Sequence, residues 1–538
     1  MNAGSPLPLE DLVVGARFLW NLPGFLRHPL TLGEARTILH ERLERREADF
    51  LALVRRTIYD HPQSAYQQLL KLAGCEYSDL ERLVNRDGVE GALQTLFRHG
   101  VYLTVDEFKG RRPAIRGRTE IAVFPDHLRN PLSRLHFFVH SGGSRATTTL
   151  VPVDLASVRD QAVNDALVLH AQGDAGWIHG TWSVPGASAM VHVLQTAANG
   201  RRVTRWFSPV DPADAGLHAR YRWSARVMRW ASLLARVPLP FPLYVPLENP
   251  LPIVEWIRDV LKTGGTPHLH AATSSVVRVC QAAVDAGIEL RGAQFATGME
   301  PLTERRLAVI RQVGATAVPR LASSECGRIG HGCLAAEAPD EVHLFHDLHA
   351  VIQPGLDEEA HGLPAGSLLL SSLRPTARFI LLNVSLGDQA VITRRSCGCP
   401  FESLGWTTHL HRIRSHEKLT AAGVAFLDTN VVRVLEEILP ARFGGGPTDY
   451  QLVEEEGPDG RPMLRLLVHP RIGPVDAEVV AETFLNALGA GSGAERIMGL
   501  VWRTGRFLSV ERQPPLVTAS GKILHLHAQA PAGRRLRT

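Results

Sequence analysis

Cysteine is scarce in this chain. Six among 538 residues are too few and too scattered for a disulfide framework, and they suit a reducing compartment. Long apolar runs are missing as well: no stretch of about 18 apolar residues could span a bilayer. No basic, apolar and small-residue series opens the chain. Neither a membrane helix nor a signal peptide is therefore expected, and the cytoplasm is the expected location. The nearest approach to an apolar run, LLARVPLPFPLYVPL from Leu233 to Leu247, contains four prolines that rule out a regular helix and predict an extended connector. A dominant charge is also absent, with 58 Lys and Arg against 54 Asp and Glu and a net charge of +4. Basic residues are spread out except in the tail Arg534, Arg535 and Arg537, which excludes nucleic acid as the main partner. Internal repeats and low-complexity tracts are absent too.

The length exceeds one ordinary core, so a large domain with subdomains and at least one separate domain are expected. TLGE at Thr31–Glu34 has capping-box spacing, and Ala35, Leu39, Leu43, Phe50, Val54 and Ile58 continue an amphipathic helix. Its charged face, with Glu41, Arg42, Glu44, Arg45, Arg46 and Glu47, reads as solvated surface. Helices around 64–73 and 91–98 complete a helical lead-in. Beyond it, strand and helix patterns alternate. Strands are expected at 268–272, 295–296, 315–318, 367–370, 379–384 and 390–393, with helices at 276–286 and 301–313. That alternation predicts an α/β fold with much parallel pairing.

After residue 412 the character changes to a compact α+β unit. It comprises a strand at 424–427, Asp428 as a helix cap, a helix from Val431 to Leu439 closed by Pro440, and a hairpin of 449–455 with 463–468. A helix at 476–488 and strands at 498–502 and 507–510 complete it. The expected divisions are thus residues 1–115 as helical lead-in, 116–412 as an α/β core and 413–538 as a C-terminal lid.

The stretch LHFFVHSGGSRATTT, Leu135–Thr149, joins an apolar strand to a loop of glycine and hydroxyl residues. Backbone N–H groups freed by glycine, with hydroxyl donors, are what a polyphosphate requires of a loop. It is not the GxxxxGKS loop.

PPLVTASGKILHLH at Pro514–His527 closely resembles the terminal SGK motif of adenylate-forming enzymes, the AMP-binding superfamily of acyl-CoA ligases. Other stretches follow in that family's order. The opening loop resembles its phosphate loop, and TGMEPLTERR at 297–306 resembles the adenine segment of the phenylacetate-CoA ligase branch. LASSE at 321–325 is similar to YGxTE, VSLGDQ at 384–389 to the tGD motif, and CGCP at 397–400 to the branch's CxCG. The resemblance implies a large multi-subdomain α/β domain with a small mobile C-terminal domain, ATP and Mg²⁺ as cofactors, and a small carboxylic acid as substrate. It assigns Lys522 as the catalytic cation, Glu325 as catalytic carboxylate and Mg²⁺ ligand, Ser324 beside the α-phosphate and Asp388 on the ribose. Ser141, Gly142, Gly143, Ser144, Arg145 and Thr147 would hold phosphates, and Gly298, Met299 and Glu300 would line the nucleotide.

The departures shape the functional reading. The loop lacks the family's lysine, so Arg145 or a neighbouring cation is expected to replace it. Leu321 and Ala322 stand for Tyr and Gly, and IRSHEKL at 413–419 stands where the family has its GRxDD hinge. Coenzyme A is the acceptor the resemblance implies. The altered hinge leaves open a carrier-protein thiol, an amine or a hydroxyl, and the altered loop leaves open a nucleotide-binding homologue without catalysis. Cys333, His343, Cys397 and Cys399 form a candidate zinc set, with metal-free thiols as the alternative. Cys75 and Cys280, in helix-like apolar contexts, read as core residues.

Overall fold

The computed structural model describes residues 9–140, 150–213, 219–355, 362–415, 420–421, 424–425, 429–456, 462–489, 508–518 and 521–528. The expected phosphate loop from Ser141 to Thr149, including Gly142, Gly143, Ser144, Arg145 and Thr147, lies outside them. So do Asp428 and the strand expected at 498–502.

A twelve-stranded sheet dominates the described residues. Six strands form its parallel half: β1 (Trp177–Trp182), β2 (Val203–Ser208), β3 (Pro242–Tyr244), β4 (Thr266–Ala272), β5 (Gln294–Gly298) and β6 (Thr316–Ser323). They run in the order 3-2-1-4-5-6, each parallel to its neighbours. This is a doubly wound arrangement whose order reverses between β1 and β4, so ligands are expected beyond the carboxyl ends of these strands. The proline-rich stretch expected to be an extended connector supplies β3, at the sheet edge, where a missing N–H is tolerated.

The sheet continues antiparallel through β7 (Gly327–His331), β8 (Val342–Leu344), β9 (His349–Ile352), β10 (Ser367–Ser372), β11 (Val384–Arg394) and β12 (Thr408–Ser415). Beyond β6 the order is 7-8-12-11-10-9. Residues 379–383, expected as strand, are mostly outside the ladder. Ile380 N–H donates to Leu128 and Leu381 N–H to the Ser372 hydroxyl, so the backbone is satisfied without a strand partner. At Gly330, on β7, a methyl group would lie 2.5 Å from the His343 carbonyl oxygen on β8. Gly330→Ala should therefore destabilise the fold by about 1–3 kcal/mol, read from the denaturant midpoint at unchanged slope.

N-terminal helices at Leu32–Glu44, Arg46–Val54, Ala65–Leu72 and Tyr77–Arg98 share one apolar core with the antiparallel half of the sheet. Thr31 caps the first of them as its spacing predicts, accepting from Glu34 N–H while the Glu34 carboxylate accepts from Thr31 N–H. The solvated reading of the charged face holds for Glu41, Glu44, Arg45 and Glu47, which are exposed, and fails for Arg42 and Arg46. Arg42 is 2 % exposed and pairs with Asp160 at 2.7 Å and Asp347 at 3.1 Å, while Arg46 pairs with Glu90. Partners more than a hundred residues away, as Asp160 and Asp347 are from Arg42, leave no periodic trace.

A second core lies between the parallel strands and the helices at Leu251–Lys262, Thr273–Asp285 and Glu304–Gln312. It buries Cys280, while Cys75 is buried among the N-terminal helices, as small core residues. The C-terminal unit has its own core and a four-stranded sheet: β13 (Tyr450–Glu456), β14 (Pro462–Val468), β15 (Leu508–Glu511) and β16 (Leu526–Ala528), ordered 15-14-13-16. Strands β13 and β14 form the expected hairpin, and the expected helix runs Ala477–Gly489. Pro440 does not close the helix before it. Proline occupies an early position of a new helical segment, Leu439–Phe443, where its missing N–H costs nothing.

Candidate functional site

Polar and functional groups gather where the parallel strands end. Strand β4 passes into the helix Thr273–Asp285, β5 into Met299 and β6 into the turn Ser324–Cys326. Gly298 is the last residue of β5, and a methyl group added there would lie 3.3 Å from the Arg320 carbonyl oxygen. Met299 next to it takes φ = 68°, a conformation that costs a non-glycine residue about 1–3 kcal/mol. The Thr273 hydroxyl donates to the Glu300 carbonyl at 2.9 Å and so fixes the chain just after this bend.

A cleft of about 130 Å³ lies between these strand ends and the C-terminal unit. Met299, Leu321 and Ala322 line it on one side, Asp388 and Arg414 on another, and Ile523 on the lid side. Leu321 and Ala322 flank a bulge in the β6–β7 pairing and line the cleft with aliphatic side chains. Asp388 is opposite Ser415 across the β11–β12 ladder. Glu300 also lines the cleft, but its carboxylate is engaged elsewhere. It accepts from Ser274 N–H at 2.7 Å and the Ser274 hydroxyl at 3.0 Å, with Arg306 at 3.3 Å.

Lys522 belongs to the C-terminal unit, and both its neighbours meet the large one. A methyl group on Gly521, which has φ = 83°, would lie 3.6 Å from Pro209. Ile523 N–H donates to the Ser274 hydroxyl at 3.3 Å. A local turn, with Thr518 N–H donating to the Lys522 carbonyl at 2.9 Å and Lys522 N–H to the Thr518 hydroxyl at 3.1 Å, holds the segment in shape.

Glu325 is 7 % exposed, and its carboxylate accepts no hydrogen bond among the described residues. It faces a buried cation, Arg378, whose guanidinium donates to the Ser324 carbonyl at 2.7 Å. Burial, reinforced by Arg328, pushes the Arg378 pKa down to about 10 against the pull of Glu325. Glu325, Arg378 and Asp388 all act on the Cys326 thiol, which burial pushes up to about 12. The strand-end carboxylate and the Asp388 carboxylate thus share one neighbourhood.

The zinc-type residues converge. Ligand atoms of Cys333, His343, Cys397 and Cys399 all lie within 4.8 Å of one another. His343 Nδ1 is 2.6 Å from the Trp406 carbonyl oxygen and donates to it, which leaves Nε2 as the inward atom, 3.4 Å from Cys399 Sγ and 3.6 Å from Cys397 Sγ. Glu402 accepts from the N–H groups of Cys397 and Gly398 and from the Ser396 hydroxyl, fixing the loop. These bonds, the Ser396 hydroxyl first, hold Glu402 down at about 2. Burial pushes the Cys333 thiol up, and it pushes Cys397 up to about 11. Three sulfurs and one correctly oriented imidazole nitrogen fit a closed tetrahedral Zn²⁺ site, with the Trp406 carbonyl setting the tautomer.

Several polar groups that the fold brings together carry no signal in the sequence. Arg414 lines the cleft and is held by Asp340 at 2.8 Å, while Asp340 also accepts from the N–H groups of Arg412 and Ile413. Nothing in the sequence shows that Arg414 and Asp388 line one cleft. Two histidines without a partner visible in sequence, His268 and His270, sit in a buried group with His179 and His192. His268 Nδ1 is 2.9 Å from His179 Nδ1, the His192 and His270 rings stack at 4.1 Å, and burial holds all four well below the usual histidine range. His136 lies 3.3 Å from Asp154. A larger depression of about 780 Å³, lined by Arg17, Arg134 and Arg159, shares no residue with the cleft, and its Asp154 already caps a helix. Shared chemistry, not size, singles out the cleft. Among the described residues no helix is long and apolar enough to cross a membrane.

Neither a protein-family model nor a curated protein matches the chain. Among solved structures, a 2-hydroxyisobutyryl-CoA ligase in its postadenylation state, in complex with 2-HIB-AMP, aligns over 94 % of this chain and 91 % of its own, with 13 % identity and a TM-score of 0.53. The same ligase in its thioesterification state covers 94 % and 92 % at 13 % identity and a TM-score of 0.44. ATP-bound MatB from Rhodopseudomonas palustris covers 75 % and 68 % at 11 % identity and 0.41. The first of these establishes a shared fold.

Proposed function

We propose that this chain, which has the fold of the adenylate-forming ligases, activates a small carboxylic acid with ATP and then transfers the acyl group to the thiol of coenzyme A. In the first half, a carboxylate oxygen bonds to the α-phosphorus as the bond to the β-phosphate oxygen breaks, giving acyl-adenylate and pyrophosphate. In the second, the thiol sulfur bonds to the acyl carbon, the bond to AMP breaks and the thiol proton is lost.

The observation that carries this reading is the placing of Lys522. What supports it is that both neighbours of Lys522 meet the large unit and that Ile523 beside it lines the cleft. A cation delivered from a separate unit can neutralise charge that develops on the α-phosphate in the transition state. Glu325, in the turn after β6 with no hydrogen bond to its carboxylate among the described residues, is the candidate Mg²⁺ ligand, since carboxylate oxygens suit that hard cation. Asp388, at the cleft wall, is the candidate acceptor for ribose hydroxyls. Ser324 would lie beside the α-phosphate, and Gly298 and Met299 along the base, with Leu321 and Ala322 in place of an aromatic. Glu300 is better read as supporting this segment, because Ser274 and Arg306 occupy its carboxylate. Ser141, Gly142, Gly143, Ser144, Arg145 and Thr147 remain the proposed phosphate loop on sequence grounds.

Cys333, His343, Cys397 and Cys399 would hold a structural Zn²⁺. Bound there, the metal would tie the loop 395–402 to β8 and the end of β7. Metal analysis of the purified protein should give one zinc per chain, lost in Cys397→Ser together with thermal stability; equal absence of metal in both proteins removes the site.

The function is tested by acid-dependent exchange of labelled pyrophosphate into ATP over a panel of carboxylic acids. Product analysis with coenzyme A, against hydroxylamine trapping alone, then decides the acceptor. Trapping without thioester would instead favour a carrier-protein thiol, an amine or a hydroxyl.

A further inference from the structure

Four ionisable side chains from the two units meet in a nearly dry interior beside the cleft. Arg306, on the helix Glu304–Gln312, has a side chain only 1 % exposed. One face of its guanidinium lies 3.3 Å from Glu300, and its Nε lies 2.8 Å from Glu436 of the C-terminal unit. His525 Nε2, also from that unit, lies 2.7 Å from the same oxygen of Glu436. Because a carboxylate only accepts, that nitrogen carries the proton and donates to Glu436, so its 3.3 Å approach to Arg306, itself only a donor, is not a hydrogen bond. The Thr303 hydroxyl, from the large unit, donates to the other Glu436 oxygen. Glu436 and Arg306 thus each join both units in one network, and its far end reaches Lys522: Glu300 holds Ser274, whose hydroxyl accepts from Ile523 N–H.

A buried ion network is weak glue in net terms, because desolvation cancels most of the attraction. It is a strong discriminator, because removing one partner strands the others and costs about 3–5 kcal/mol. The apolar core of the C-terminal unit closes on itself without residues of the large unit. Its orientation on the large unit is therefore set by contacts outside that core. Burial raises the Glu436 pKa, but Arg306, His525 and Thr303 outweigh it and hold the carboxyl at about 2, so Glu436 is ionised at neutral pH. The Arg305–Glu437 pair at 3.8 Å on the exposed rim adds little.

We infer that Arg306, Glu436 and His525 form an interdomain latch: three positioning residues that lock the C-terminal unit in the orientation presenting Lys522 to the cleft. His525 lies three residues beyond Lys522, on the same segment, so docking His525 docks the lysine. The inference rests on the adenylation reading for its consequence, but not for its geometry.

Glu436→Gln and His525→Gln keep side-chain volume and change the network. Each should lower the turnover of pyrophosphate exchange about 100-fold, with KM for ATP and acid within about threefold of wild type, because those ligands bind the large unit. Thioester formation from supplied acyl-adenylate should stay near the wild-type rate, since the latch serves only the lysine-in orientation. Independently of activity, hydrogen exchange at the Ile523 and Ser274 amides should speed up at least tenfold while β13 and β14 keep their protection. Equal losses in both half-reactions, or unchanged exchange at those amides in a folded variant, overturn the latch. If wild type supports no pyrophosphate exchange with any acid, the adenylation reading fails and the amide measurement alone decides the latch.

Discussion

Lys522→Ala is expected to lose pyrophosphate exchange by a factor of about 10²–10³, the usual cost of removing one preorganised donor from a developing oxyanion. The loss should appear in turnover and leave KM for ATP nearly unchanged, because a group that acts mainly in the transition state contributes little to ground-state binding. The segment is placed by backbone contacts at Gly521, Ile523 and Thr518, none of which needs the ammonium group. Thioester formation from supplied acyl-adenylate should survive, which separates this variant from one that misfolds. Lysine is otherwise sparse here, at Lys71, Lys109, Lys262 and Lys418 only. Lys522→Arg tests geometry: a rigid planar fork is a poor substitute for a compact point charge, and activity should recover only in part.

Glu325→Gln should lower exchange about 100-fold at millimolar Mg²⁺, on the several kcal/mol that a correctly held metal supplies to phosphoryl chemistry. Part of the loss should return at high Mg²⁺ or with Mn²⁺, because the defect lies in metal affinity rather than in the fold. The isosteric change removes no hydrogen bond among the described residues, and Arg378 keeps its bond to the Ser324 carbonyl. Thermal unfolding should therefore move by only a few degrees. A variant with full activity across the Mg²⁺ titration would remove Glu325 from the metal site.

Periodicity and capping make much of the architecture legible. The Thr31–Glu34 box, the alternation of strands and helices from residue 268 onward and the hairpin near 449–468 can be read directly, because each is a local signal. The zinc-type set is named by the resemblance to the phenylacetate-CoA ligase branch, and the fold brings Cys333 and His343 to Cys397 and Cys399. Contacts between distant residues are not legible. Arg42 reads as surface because its partners Asp160 and Asp347 belong to other elements. The motif marks the Glu300 segment, and carries no sign that Ser274 and Arg306 hold the Glu300 carboxylate. The network of Arg306, Glu436 and His525 spans more than two hundred residues, and each member alone looks like an ordinary charged or polar residue. Pro440 reads as a helix stop because local rules do not reveal that a new helical segment can begin there.

The most direct test of the central claim is pyrophosphate exchange by the wild-type protein with ATP, Mg²⁺ and a broad panel of carboxylic acids. Adenylation predicts label entering ATP only when a suitable acid is present. ATP binding at ordinary affinity with no exchange for any acid would contradict it, and would leave a nucleotide-binding protein that has kept the fold without the reaction.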